Sequence, residues 1–309
     1  MKKFLSVLLA CVMALSLCAC AAAEDAPDLS GIHVSSPNGA PGIALAVLAA
    51  ENPDNYTYLT AETIPAEFAA NTADFIIAPI NAGAKLYKAG KSTYKLGGVV
   101  SWGNLYFASQ KEGFTLEDMN GATVTLFGEN TINASIALFV LEQNGITPAA
   151  VEYLAGAANT QSLLLSDAEA IVLTAEPALT AARMKNEAVT AYAVNDLYKA
   201  ATGHEGFTQA GLFIRAELIE TAPETVDAYL AVAADACAQC TDDVDAVAQA
   251  AVALEILPNP KVAAAAIPNC AIRFVPAWEA KEQIETTANV DLTQFGGAVP
   301  ADDFYYGAE

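Results

Sequence analysis

Short apolar runs alternate with amphipathic stretches from about residue 31 to residue 215. The apolar runs have the length of buried strands, roughly four to eight residues. They predict strands at Gly31–Val34, Tyr56–Thr60, Phe75–Pro79, Tyr94–Val100, Asn104–Ser109, Thr123–Phe127, Val151–Leu154, Ala170–Leu173, Thr190–Val194 and Gly211–Arg215. The amphipathic stretches predict helices at Pro41–Glu51, Pro65–Asn71, Ala82–Ala89, Asn133–Asn144, Thr160–Asp167 and Pro177–Asn186. This alternation favours an α/β fold with mainly parallel sheets and helices on both faces.

The pattern changes after Arg215, where helices alone are predicted. They lie at Pro223–Cys240, Val244–Leu257, Val262–Ile267 and Trp278–Thr287. The section from Leu116 to Val194 is, by contrast, a self-contained run of alternating strands and helices. This arrangement predicts two lobes, the first formed by residues 31–104 and 207–309 and the second by residues 105–206. Ligands of such folds bind in the crevice outside the carboxyl ends of the strands.

The start of the chain has the pattern of an export signal. Met1–Lys3 is basic, Phe4–Leu17 is apolar but too short to span a bilayer, and small residues precede Cys20. Residues 1–19 are predicted to be a signal peptide and residues 20–30 a tether. The segment around Cys20 resembles the bacterial lipobox, whose cysteine takes a lipid after cleavage. Cys18 is the second candidate for lipidation, and an ordinary secretory signal is the alternative to both.

The signal predicts an exported protein, lipid-anchored at the outer face of the cytoplasmic membrane or in the periplasm. It would touch the membrane only through the N-terminal lipid. The chain has 14 basic and 36 acidic residues, a formal net charge of −22. Such a field repels nucleic acid and anionic lipid surfaces, so neither is expected as a partner. A hydrophobic content of 54% provides for a sizeable core.

Metal and thiol chemistry are not expected. Cys237 and Cys240 have CxxC spacing but lie inside a predicted helix, whereas redox motifs follow a strand. With Cys270 they are interpreted as structural thiols, although a disulfide among the three stays open. The only histidines, His33 and His204, are too few for a zinc site, so no metal and no cofactor are predicted. His33 and Trp278 are predicted to be core residues.

Small and polar residues just past strand ends are the candidate ligand contacts. The stretch Ser35–Gly42 stands out, because it follows a strand and opens an apolar helix with Pro41 suited to its first turn. Free N–H groups at a helix start can bind an electron-rich group. The candidates are Ser35, Pro37, Asn38, Gly39, Pro79, Asn81, Trp102 and Asn104 in the first lobe and Gly128, Glu129, Asn130, Thr131, Asn159 and Glu176 in the second. The alternative is that they only form turns and helix caps.

Several segments together resemble a known family. They are Ser36–Pro41, Ala73–Gly83, Ser101–Tyr106, Leu116–Gly121 and Phe274–Ala280. In these segments the chain resembles the solute-binding proteins of bacterial ABC importers. The most similar branch contains the nitrate, sulfonate, taurine and thiamine-precursor binding proteins.

The resemblance implies a type II periplasmic-binding-protein fold, also called a Venus flytrap, with two hinge strands joining the lobes. It implies a monomer that captures a small organic solute by hinge closure and delivers it to an ABC permease. Asp74–Pro79 resembles the family strand that carries an Asp before its apolar run and leads a loop to the cleft. The resemblance implies no catalytic residues.

The ligand itself stays open. Arg183, Arg215 and Arg273 are the only arginines, and none follows the predicted pocket loops. A bidentate clamp on a sulfonate is therefore not evident, which favours a neutral or weakly basic solute, aromatic or not. An anion held by helix starts and Lys85 stays open as the alternative. Trp102 could stack on a flat ligand at the hinge, or it could simply pack between the lobes.

Two other functions are kept as alternatives. One is an enzyme of the same fold, of the pyrimidine-precursor or menaquinone-pathway type, and the other is a ligand sensor. The export signal and the small numbers of His, Cys and Arg weigh against the enzyme.

Overall fold

Two separate β-sheets organise the computed structural model, which describes residues 27–308. The predicted signal peptide, the lipidation site at Cys20 and most of the predicted tether lie outside the described residues. Within residues 27–308, no helix is both long and apolar enough to cross a bilayer.

The elements are numbered along the chain. The strands are β1 (Val34–Pro37), β2 (Tyr56–Leu59), β3 (Phe75–Pro79), β4 (Lys95–Ser101), β5 (Leu105–Ser109), β6 (Thr123–Phe127), β7 (Ala150–Leu154), β8 (Ile171–Ala175), β9 (Thr190–Ala193), β10 (Ala210–Ile214) and β11 (Ile272–Pro276). The helices are α1 (Ala40–Ile43), α2 (Ala46–Glu51), α3 (Ile64–Ala70), α4 (Ile80–Lys88), α5 (Ile132–Gln143), α6 (Ala157–Ser166), α7 (Ala178–Lys185), α8 (Val194–Thr202), α9 (Ala216–Thr221), α10 (Pro223–Asp242), α11 (Val244–Ala253), α12 (Pro260–Ala266) and α13 (Lys281–Val290).

Sheet A has the strand order β11-β4-β10-β3-β1-β2, and sheet B has the order β7-β6-β8-β5-β9. Strand β1 is parallel to β2 and β3, and β6 is parallel to β7 and β8. The other five pairings are antiparallel. The prediction of mainly parallel sheets is therefore wrong. The chain enters sheet B at β5 and returns to sheet A at β10. Neither strand is joined by a helical crossover to a preceding strand of its own sheet, so neither has to run parallel to its neighbours.

Some element boundaries also differ from the prediction. The predicted turn at Ser35–Pro37 is part of β1, where these residues pair with Thr57–Leu59 of β2. The predicted helix Pro41–Glu51 is two helices, because Leu45 has φ −117° and interrupts the helical backbone. Strand β11 was not predicted, since Arg273 and Pro276 break its apolar pattern.

Helix α13 begins at Lys281, so Trp278 precedes it and is 37% exposed. The prediction that Trp278 belongs to the core is thus wrong. The prediction for His33 is wrong as well, because its side chain is exposed. His33 lies just before β1, where its backbone N–H donates to the Asp74 carboxylate at 2.9 Å.

Asp74, just before β3, connects three segments of sheet A through its hydrogen bonds. Its carboxylate also accepts a hydrogen bond from the Arg215 guanidinium at 2.6 Å, and its carbonyl accepts one from the Arg215 N–H. The carboxylate is largely buried, so its charge depends on these partners. Asp74 therefore ties β3 to the segments before β1 and after β10.

The core follows the alternation of side chains along the central strands. Ile76 and Phe213 belong to a cluster that continues through Trp102 to Phe107 of sheet B. The next residue in β3, Ile77, points to the opposite face and joins the cluster under α10, α11 and α12. The two sheets are thus joined by continuous apolar packing at the point where the chain crosses between them.

Cys237, Cys240 and Cys270 are buried free thiols. Burial raises the pKa of Cys240 to about 12, and it raises the pKa of Cys237 and Cys270 as well. Among the described residues, no group of three or more His, Cys, Asp or Glu side chains could hold a metal ion.

Candidate functional site

A cavity of about 350 Å³ lies between the strand ends of sheet A and the start of helix α5, which follows strand β6 of sheet B. We call it the cleft. Its lining consists of Pro37, Asn38, Pro41, Ala61, Pro79, Asn81, Ala82, Thr131, Ile132, Asn133, Gln209, Ala210 and Gln294. The cleft therefore occupies the place where two-lobed α/β folds bind ligands.

The wall from sheet A is built by strand ends. Pro37 ends β1 and Pro79 ends β3, and neither residue needs a backbone N–H for the sheet at that point. Ala210, the first residue of the antiparallel β10, pairs with Pro79. Gln209 is fixed just before it, because its N–H donates to the Ser101 carbonyl and its carbonyl accepts from the Ile80 N–H. Thus the start of β10 and the ends of β1 and β3 meet at the cleft.

The wall from sheet B is the first turn of α5. Thr131 caps this helix: its hydroxyl donates to the Gly128 carbonyl at 2.6 Å and accepts from the Ala134 N–H at 3.4 Å. Asn133 follows in the first turn, and its Oδ1 accepts a hydrogen bond from Gln209 Nε2 at 3.4 Å. The helices α4 and α5 both begin at the cleft, so the partial positive charge of two helix starts faces it.

The rim of the cleft is bridged by the segment after α13. Gln294 Nε2 donates to the Asn130 carbonyl at 3.0 Å, and Ser135 Oγ donates to Asp291 Oδ2 at 2.8 Å. Burial alone would raise the pKa of Asp291, but hydrogen bonds from Thr293, Ser135 and Gln294 together lower it. Asp291 is therefore an ionised acceptor for the serine hydroxyl at neutral pH.

The polar groups of the lining are almost all carboxamides, contributed by Asn38, Asn81, Asn133, Gln209 and Gln294. No acidic, basic, histidine or cysteine side chain within residues 27–308 lines the cavity. Asn81 Oδ1 and Gln209 Oε1 are buried without a hydrogen-bond partner in the protein. This lining can bind a polar molecule, but it holds no group for acid–base or nucleophilic catalysis.

Five of the predicted contacts line the cleft: Pro37, Asn38, Pro79, Asn81 and Thr131. Gly128 and Asn130 lie next to it and act through their carbonyls, on Thr131 and Gln294 respectively. Both have positive φ, +71° and +60°, which shapes the turn into α5.

Four other predicted contacts lie away from the lining. Ser35 is buried in β1 and donates to Glu67 at 2.7 Å. Gly39 caps α1 with φ +92°. Glu129 and Asn159 are exposed at the starts of α5 and α6.

Asn104 and Glu176 are buried together and bond to each other's backbone. Asn104 Nδ2 donates to the Glu176 carbonyl at 2.8 Å, and the Glu176 N–H donates to the Asn104 carbonyl. The Glu176 carboxylate accepts from the hydroxyl and N–H of Thr180. Burial raises the pKa of Glu176, and the bonds from Thr180 oppose this only in part.

Trp102 lies in a second cavity of about 190 Å³, on the crossover from β4 to β5. We call it the crossover cavity. The Trp102 side chain is only 3% exposed, its indole N–H donates to the Arg273 carbonyl at 3.1 Å, and the Arg273 guanidinium lies 4.1 Å above the ring. Asn195 Nδ2 donates to the carbonyls of Trp102 and Gly103. The indole is thus part of the joint between the sheets.

Asn133, Gln209 and Gln294 were not among the predicted contacts. The predicted contacts are residues at or just after strand ends, whereas Gln209 precedes a strand that runs antiparallel to β3. Asn133 lies only two residues beyond the predicted Thr131, and helical spacing could have included it. Gln294 belongs to a C-terminal turn, and the sequence gives no signal that would bring it to the cleft.

The sequence model of the family described as NMT1/THI5 like matches residues 42–246. No curated protein sequence matches the chain.

Solved structures are similar over almost the whole length. An ABC transporter structure from Parabacteroides distasonis has a TM-score of 0.77 and 20% identity, and covers 91% of this chain and 100% of that one. The periplasmic aliphatic sulphonate binding protein SsuA from Escherichia coli has a TM-score of 0.70 and 16% identity, with 91% and 94% covered. The alkanesulfonate-binding protein SsuA from Xanthomonas axonopodis pv. citri, bound to MOPS, has a TM-score of 0.63 and 14% identity, with 90% and 99% covered. These structures share the fold, and they confirm the fold class predicted from the sequence.

Proposed function

The chain belongs to the NMT1/THI5-like family, and from this membership we propose that it is the solute-binding subunit of an ABC importer. It captures a small organic solute in the cleft outside the cytoplasm and hands it to a membrane permease. Two structural neighbours, a periplasmic sulphonate-binding protein and an ABC transporter, support this role.

One observation carries the proposal. The cleft lies between the strand ends of sheet A and the first turn of α5, and only a few hydrogen bonds cross its rim. A solute bound there contacts both sides at once and so stabilises the closed arrangement. We assign residues 31–104 and 207–309 to the lobe of sheet A and residues 105–206 to the lobe of sheet B.

The enzyme alternative has less support. A catalyst of proton transfer or group transfer needs a titratable or nucleophilic side chain in reach of its substrate. The part of the chain that the structure describes places none in the cleft lining. The same geometry suits a ligand sensor, which differs from a transport protein only in its membrane partner.

The test does not depend on knowing the solute. The purified protein is incubated with a low-molecular-weight extract of growth medium, desalted and examined by native mass spectrometry. We expect an added mass of a few hundred daltons or less, and we expect Asn81→Trp, which fills the cleft, to abolish it. Release of the solute in chemically altered form would support the enzyme alternative, and absence of any added mass would contradict solute binding.

The proposed anchor is a lipid on Cys20. We expect radiolabelled palmitate to be incorporated into the protein in growing bacteria and to be lost in Cys20→Ala. Cys18→Ala is the matched control and should keep the label. Labelling lost only in the Cys18 variant would move the anchor to that residue, and no labelling would favour a secreted protein.

A further inference from the structure

The cleft is unusual in what its lining lacks. Five carboxamide side chains and the Thr131 hydroxyl supply its polar side-chain groups, and within residues 27–308 no charged side chain lines it. Resting on the solute-binding role above, we propose that the solute is an uncharged molecule of the carboxamide or ureide class, with an N–H group beside a carbonyl oxygen. An anion such as a sulfonate is not the intended ligand.

The first support comes from two oxygens. Asn81 Oδ1 and Gln209 Oε1 have no partner in the protein and are shielded from solvent, so these two amides must turn before their oxygens can meet a solute in the cleft. Buried polar groups that stay unpaired are costly. Each belongs to a carboxamide, which presents an acceptor oxygen and a donor NH₂ side by side. A ligand with a donor next to an acceptor can pair with such a group in two hydrogen bonds, whichever way the side-chain amide is turned.

The second support comes from the positions of the arginines. Arg215 bonds to Asp74, and the guanidinium of Arg273 covers Trp102. Arg183, in the last turn of α7, donates through Nε to the Val189 carbonyl. Every arginine of the chain is therefore committed outside the cleft, and none can form the bidentate pair that a sulfonate or carboxylate favours.

The net charge of −22 also opposes an anion, since the field of the whole chain repels it. The starts of α4 and α5 do offer partial positive charge at the cleft. Their partial charge suits a carbonyl oxygen, which is the acceptor end of a carboxamide. The N–H donor and the carbonyl acceptor of the proposed ligand thus both find complementary groups in the cleft.

Two pairs of probes test the class while holding shape nearly constant. Nicotinamide is compared with nicotinate, and benzamide with benzenesulfonate, by calorimetry on the purified protein. We expect the neutral member of at least one pair to bind on the order of tenfold more tightly than its anion. Tighter binding of the anion in either pair overturns the proposal but leaves the solute-binding role intact.

If no probe binds, the solute recovered by native mass spectrometry decides. A neutral amide or ureide supports the proposal, a solute of any other chemistry overturns it, and no recovered solute overturns both it and the solute-binding role.

Variants place the effect in the cleft. Gln209→Leu keeps the volume but removes the carboxamide, and we expect it to weaken binding of the neutral ligand on the order of tenfold. Gln249→Leu is the matched control, because Gln249 is exposed on α11, far along the chain from every lining residue. The thermal midpoints of both variants are measured alongside, so that a loss of folding is separated from a loss of binding. Equal affinities in wild type and Gln209→Leu would overturn the assignment to this side chain.

Discussion

The cleft and the crossover cavity both lie between the two sheets, yet they are built in opposite ways. In the crossover cavity the Trp102 indole is bonded through its N–H and covered by Arg273, and Asn195 bridges two backbone carbonyls. In the cleft, helix starts and carboxamides converge on open space, and two side-chain oxygens have no partner.

We interpret the crossover cavity as a joint between the sheets and the cleft as the proposed binding site. In the joint, the indole N–H and the amide N–H groups of Asn195 are bonded to backbone carbonyls, although Asn195 Oδ1 has no partner in the protein. A binding site must leave groups unpaired until a solute arrives, at a cost in stability. Changes at the crossover cavity should therefore alter folding, and changes in the cleft should alter affinity.

The largest effect is expected for Trp102→Ala. The side chain is 3% exposed and links the clusters of both sheets, so its loss should lower the free energy of unfolding by about 3 to 5 kcal/mol. Urea denaturation followed by fluorescence or circular dichroism measures this. Trp278→Ala, at a 37% exposed site, should cost about 1 kcal/mol or less. Equal losses in the two variants would show that Trp102 is not part of a packed joint.

The next effect tests how tightly the crossover is packed. Gly103 has φ +82°, and a Cβ added there would lie 2.6 Å from Asn195 Oδ1 and against the ring of Phe207. Gly103→Ala should lower the free energy of unfolding by about 3 kcal/mol, from backbone strain and overpacking together.

Gly39→Ala is the control for the part of the Gly103→Ala effect that comes from backbone strain. Gly39 also has positive φ, +92°, but nothing lies within 4 Å of the added Cβ. Gly39 also has ψ −155°, a backbone region essentially restricted to glycine, so strain alone should cost about 1 to 3 kcal/mol. A loss of stability in Gly103→Ala smaller than that in Gly39→Ala would contradict a close-packed crossover.

Within the cleft, Asn81→Ala should separate affinity from stability. Its Oδ1 is buried without a partner, so truncation removes that cost and should raise the free energy of unfolding by about 1 kcal/mol. Affinity for the bound solute should fall about tenfold, because the ligand loses its hydrogen bonds to the amide. Calorimetry and thermal denaturation give the two numbers. A destabilised variant with unchanged affinity would assign Asn81 to the scaffold.

The smallest effect is a pH dependence at the buried Glu176. Burial raises the pKa of this carboxyl in the folded protein, so the folded state keeps a proton that the unfolded chain gives up. The contribution of Glu176 to stability is therefore full below the usual carboxyl range and is lost as the pH rises through the folded pKa. Glu176→Gln should remove this dependence and gain stability relative to wild type as the pH increases. Parallel stability profiles of wild type and variant between pH 4 and 7 would refute it.

The sequence predicts the fold well where apolar runs are long. Phe75–Pro79 is a strand with the predicted bounds, because a buried central strand shows uninterrupted apolar residues. Thr123–Phe127 also has the predicted bounds, with threonines between its apolar residues. Strand β11 escapes prediction, since an edge strand tolerates Arg273 and Pro276.

The site is less predictable, and the reason is topological. Residues that follow parallel strands, such as Pro79, Asn81 and Thr131, can be anticipated from strand ends alone. Gln209 reaches the cleft because β10 runs antiparallel, and strand direction is not visible in a single sequence. For Trp102 the residue type suits both stacking on a solute and packing in a joint, so only three-dimensional contacts show which neighbours it has.

The position of Gln209 offers a way to detect binding of a solute in the cleft. Its backbone is held just before β10, where its N–H donates to the Ser101 carbonyl and its carbonyl accepts from the Ile80 N–H, and the residue lines the cleft. Under the proposed function, a solute that bonds to this side chain is held next to the connection between the two sheets. We expect such a solute to slow deuterium uptake at the Gln209 and Ile80 amides.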